Sequence, residues 1–95
     1  MRGTMDLTAH ITNMTPALVR AARAILKWSV AETADNSGVS RSTVFDYESG
    51  NSAERPRGIN KANKNALART FYDAGIEFTG GKTPGLVVRR PELLD

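Results

Sequence analysis

The sequence predicts a mainly α-helical fold of about four helices, closed by a small C-terminal β-hairpin. Between Thr15 and Gly50, helix start and stop signals recur so closely that three helices follow one another with only short turns between them. A fourth helical period runs from about Asn60 to Ala74. After Gly75 the apolar spacing changes from helical to alternating, the mark of strands.

Taken in order, residues 1–14 show no clear period and are expected to be a flexible N-terminal arm. The first helix opens at Thr15, a good N-cap, with Pro16 at the first helical position, where its missing N–H costs nothing. Met14 and Val19 are spaced as a hydrophobic staple. Leu18, Val19, Ala21, Ala22, Ile25 and Leu26 share one face, Arg20 and Lys27 lie on the other, and Arg23 sits at the border. Trp28 reads as a core residue rather than a nucleic-acid stacker.

The second helix begins at Ser29, which with Glu32 forms a capping box, and Gly38 ends it. The third begins almost at once. Ser40 is its N-cap, and Val39 and Val44 form a second staple. Thr43, Val44 and Tyr47 point inward. Ser42, Phe45, Asp46 and Ser49 point outward, with Arg41 flanking, and Gly50 is the stop. A polar, proline-containing loop from Asn51 to Gly58 leads to the fourth helix, with Ala66, Leu67, Phe71 and Ala74 inward and Gly75 as its terminator. Ile76 and Phe78, then Leu86 to Val88, are the arms of the hairpin around Gly80, Gly81, Pro84 and Gly85. Residues 91–95 read as a frayed tail.

Composition narrows the function. The chain has 95 residues, enough for one domain, with 40% hydrophobic and 24% charged residues. There is no cysteine, and His10 is the only histidine, so disulfides and thiolate metal sites are excluded and no cofactor is expected. No apolar run reaches the roughly 20 residues that span a bilayer. We expect a cytoplasmic protein. The net charge is +3. Its distribution says more: Arg20, Arg23 and Lys27 form one acid-free group, and Arg55, Arg57, Lys61, Lys64 and Arg69 a second, the electrostatic footprint of a phosphate partner. No Ser/His/Asp set, phosphate-binding glycine loop or metal spacing is present, so an enzyme is not expected.

The tight pairing of the second and third helices is the connection of a helix-turn-helix. Ala34 is small so that the helices approach, Gly38 permits the turn, and Val44 plugs the angle between them. The run Gly38-Val39-Ser40-Arg41-Ser42-Thr43-Val44, followed by Tyr47-Glu48-Ser49-Gly50, resembles the phage-repressor and Cro family, also called the XRE family, whose domains are lambda-repressor-like. The resemblance covers Thr15 to Gly50 and returns over Phe71 to Phe78. It implies a double-stranded DNA operator as partner, with the third helix in the major groove and Ser40, Arg41 and Ser42 at the base edges, Phe45 and Asp46 next on the same face. Ser29 opens the second helix beside them. It also implies that Asn51, Arg55 and Arg57 meet phosphate, and that Arg23 pairs with Glu48 in a salt bridge. The border position of Arg23 and the inward angle of Glu48 agree with that pairing. Phe45 has two readings, packing under the following loop or touching a thymine methyl group. Asp46 either orients an arginine, accepts from cytosine N4, or is solvated.

The chain departs from the pattern at Val30, where members often carry glutamine, and at Thr33, where they favour leucine. The hairpin stands in place of the final helix that many members use to dimerise. We therefore divide the chain into an arm (1–14), a DNA-binding domain (15–75), a dimerisation hairpin (76–90) and a tail (91–95). The expectation is a homodimeric repressor or autoregulator on an inverted-repeat operator. The alternative is the antitoxin of a toxin–antitoxin pair. RNA polymerase or a small protein is the further partner considered, and a membrane is not.

Overall fold

The computed structural model describes residues 7–50 and 59–95. Five α-helices precede a two-stranded antiparallel sheet: α1 (Thr8–Asn13), α2 (Pro16–Leu26), α3 (Val30–Ser37), α4 (Arg41–Ser49), α5 (Lys61–Asp73), β1 (Ile76–Thr79) and β2 (Gly85–Val88). A 3-10 turn, Pro91–Leu94, ends the chain. Helices α2 to α5 are the four read from the sequence.

The caps act where the sequence placed them. The Thr15 hydroxyl accepts from the Leu18 amide at 3.2 Å, with Pro16 in the first turn. Met14 and Val19, the staple pair, are both buried. Lys27 takes the left-handed conformation (φ 60), which lets α2 end and α3 begin within a few residues. The Asn60 side chain accepts from Asn63 N–H at 2.7 Å and starts α5.

Three sequence expectations are corrected. Part of the expected arm is helix α1, and it is packed. Its His10 is buried, accepting from the Phe78 amide through Nδ1 at 2.9 Å and donating from Nε2 to the Ala68 carbonyl at 2.6 Å. A six-residue helix is too short to show a period, and one polar ring rather than an apolar stripe anchors it. The expected tail is the 3-10 turn, with Leu93 against the core. Ile76 and Phe78, read as hairpin residues in need of a partner, are fully buried within the protomer.

The core explains that last point. Leu67 and Phe71 of α5, Val19 of α2, Val44 of α4, and Ile76 and Phe78 of β1 are all fully buried. Phe71 meets Phe78 edge-to-face at 5.8 Å and stacks on Trp28 at 5.9 Å. Burying each such side chain contributes about 1.5–3 kcal/mol, so β1 is held by the helices rather than by its own pairing. Register places Ile76 opposite Val88 and Phe78 opposite Leu86. Arg89 and Arg90, just after β2, donate to the Tyr72 and Asp73 carbonyls and so cap the C-terminus of α5, where positive charge is favourable. Gly80 lies against the Asn13 amide, which a Cβ would overlap.

Candidate nucleic-acid interface

The pair α3–α4 is built from local signals. Ser29 and Glu32 close the capping box, with the Glu32 amide donating to the Ser29 hydroxyl at 3.0 Å and the Ser29 amide to the Glu32 carboxylate at 2.9 Å. Gly38 closes α3 in the left-handed region (φ 78), which costs glycine little and other residues more. Ser40 then accepts from the Thr43 amide at 3.2 Å. Val39 and Val44 are buried under the turn, and Ala34 leaves room for α4. Thr33, where leucine was the family expectation, is fully buried. Its hydroxyl donates to the Ser29 carbonyl at 2.9 Å, so a polar side chain sits in the core with its donor satisfied.

The inner side of α4 is pinned from α2. Arg23 makes a two-pronged bond to Glu48, Nε to Oε2 at 2.6 Å and the terminal nitrogen to Oε1 at 2.8 Å, and donates to the Trp28 carbonyl at 2.9 Å. Glu48 is buried, and the hydrogen bonding of Arg23 to its carboxylate raises the Arg23 pKa above the ordinary guanidinium value, outweighing the opposing effect of burial. Arg20 donates to the backbone carbonyl of the same Glu48. The sequence places Arg20 on the basic face opposite the apolar one; its spacing of three from Arg23 is the signal that both side chains reach α4 together. Tyr47 donates to the Met14 carbonyl at 3.0 Å, and burial pushes its phenol up to about 12.

With Val44, Tyr47 and Glu48 turned inward, the opposite side of α4 is exposed. Arg41, Ser42, Phe45 and Ser49 lie open on it, and Asp46 is half-buried at its edge. The hydroxyls of Ser29 and Ser40 are used in capping α3 and α4. Asn51, Arg55 and Arg57 lie outside the described residues. Helix α5 carries exposed Lys61 and Arg69 and half-buried Lys64.

This arrangement presents a rigid, mostly polar helix face bearing one arginine and one aromatic ring. No helix among the described residues is long and apolar enough to cross a membrane. The family model described as "Helix-turn-helix" matches residues 19–56, from the first turn of α2 through α4. Comparison with curated proteins and with solved structures gave no match.

Proposed function

We propose that this chain is a DNA-binding transcriptional regulator of the XRE type, a reading that the helix-turn-helix match over residues 19–56 supports, and that it is a repressor or autoregulator acting as a homodimer on an inverted-repeat operator. The observation that carries the reading is the two-sidedness of α4. Its inner face is locked by Arg23, Arg20 and Val44, while Arg41, Ser42 and Phe45 stand open on the other. A helix held from behind offers its side chains to base edges without first paying ordering entropy. Arg41 opens the helix, where a guanidinium reaches guanine O6 and N7 in the major groove.

Two features support the dimer. Among the described residues strand β2 pairs only with β1, which leaves its other edge without a strand partner, and Val87 on β2 is exposed. Two-fold symmetry would set the two α4 helices about one DNA turn apart, ~34 Å. The test is selection of the full chain on randomised duplexes, followed by footprinting on the DNA upstream of its own gene. A two-fold symmetric consensus is expected. Binding without sequence preference would overturn the reading.

A further inference from the structure

Phe45 is 59% exposed, and it is the one large apolar side chain exposed before the hairpin among the described residues. Every other large apolar group of the helix-turn-helix is buried or half-buried. Phe45 sits midway along the open side of α4, one turn after Arg41. Beside it lies a cleft of about 320 Å³ lined by Arg20, Arg23, Val30, Phe45, Glu48 and Ser49.

The polar members of that cleft are already engaged. Arg23 holds the Glu48 carboxylate, Arg20 donates to the Glu48 carbonyl, and the Ser49 hydroxyl donates to the Asp46 carbonyl at 3.0 Å. Its apolar walls are Val30 and the Phe45 ring. We propose that Val30 and Phe45 form an apolar notch that receives the C5 methyl group of a thymine in each half-site, making Phe45 a specificity-determining residue.

The proposal rests on the DNA-binding reading above and deepens it. In the major groove, guanine, cytosine and adenine present donors and acceptors, and thymine alone adds an apolar group. The two walls that meet the base, Val30 and the Phe45 ring, carry no donor or acceptor, so a base edge that offers only those loses its water there for nothing. A methyl group meets no such penalty. The surroundings favour DNA over an apolar protein partner, because exposed Arg41 and Arg20 flank the ring and match a polyanion.

The test uses the full chain and its selected operator. Each thymine is replaced in turn by deoxyuridine, which lacks only the methyl. One thymine per half-site is expected to lower affinity about fourfold when replaced, the worth of one buried methyl. Phe45→Ala, folded by circular dichroism, is expected to bind thymine and deoxyuridine operators equally at that position, and Phe45→Leu to keep part of the preference. If no thymine is sensitive, or if Phe45→Ala keeps the wild-type sensitivity, the notch does not read a methyl, while the operator itself still supports DNA recognition. If selection yields no preferred sequence, the DNA-reading premise fails and this inference with it.

Discussion

The Phe78 amide donates to Nδ1 of His10 at 2.9 Å, and the imidazole stacks on the Phe78 ring with centroids 4.9 Å apart. The same ring donates from Nε2 to Ala68 of α5. One side chain thus ties α1, α5 and β1 together. Replacing His10 by alanine would leave a buried amide without a partner, at about 1–3 kcal/mol, and add a cavity. We expect His10→Ala to lower the melting temperature by at least roughly 8 °C, since about 4–8 °C follows each kcal/mol in a domain of this size. A thermal melt shifted by less than about 2 °C would show that α1 is not anchored there.

The ion pair between Arg23 and Glu48 makes a separate prediction. The Glu48 side chain is 7% exposed and that of Arg23 23%, so the pair is partly shielded rather than fully buried. Truncating either partner strands the other's charge, and the cost should fall below the ~3–5 kcal/mol of a fully buried pair. We expect Glu48→Ala and Arg23→Ala each to destabilise by about 2–3 kcal/mol. The double mutant should cost at least ~1 kcal/mol less than their sum, because contacting residues couple. Urea denaturation of the four proteins measures this, and additivity within ~0.3 kcal/mol would show that the bond contributes nothing beyond its parts.

Much of this was legible in the sequence, and the reasons divide cleanly. Caps and turns are local, so Thr15, Ser29–Glu32, Gly38, Ser40 and Gly50 mark helix ends that need no tertiary context. The Arg23–Glu48 bond was legible because a family resemblance and two helical angles agreed. What stayed hidden depends on partners distant in the chain. Nothing near His10 announces a link to residues 58 and 68 positions away. The hairpin's apolar face is covered by α5 and by α1, and a helix as short as α1 shows no period in the sequence. The contact of Arg20 with α4 stays hidden because its partner is a backbone carbonyl, which leaves no trace in residue type.

Tyr47 sets an alkaline limit. Its phenol ionises at about 12 in the folded protein and near the ordinary 10 when unfolded. The unfolded chain therefore loses its proton first as pH rises. The stability from this group is full below about pH 10 and is lost as pH climbs through about 12, at up to ~1.4 kcal/mol per unit in that window. Tyr47→Phe should be less stable at pH 8, having lost the bond to Met14, yet should fall less steeply between pH 9.5 and 11. Guanidinium melts at the three pH values decide it. Parallel losses in both proteins would mean that other groups govern the alkaline transition.

A test of the dimer has to spare the core. Truncation after Gly75 would remove Ile76 and Phe78 from the core and unfold the protomer, so it cannot test assembly. Val87 is 47% exposed on the outer side of β2 and can be changed without touching the core. We expect Val87→Glu to keep the wild-type melting profile at low concentration but to sediment as a monomer, with operator affinity reduced at least tenfold. A Val87→Glu protein that still sediments as a dimer would place the interface elsewhere.

Arg41 separates base reading from phosphate attraction. It is exposed at the first turn of α4, where a long planar fork can meet guanine O6 and N7 together. Lysine carries the same charge without the fork. If Arg41 reads a base, Arg41→Ala loses ~1–3 kcal/mol on the operator and relaxes preference at one position per half-site, and Arg41→Lys recovers little of that preference. If it only attracts phosphate, Arg41→Ala weakens operator and scrambled duplex alike, the salt slope falls by about one for each protomer contact, and Arg41→Lys recovers most of the affinity. Salt titrations of the three proteins on both duplexes distinguish the two. We expect the first pattern. The second would move base reading onto Ser42, Phe45 and Asp46, which follow Arg41 along the same side of α4.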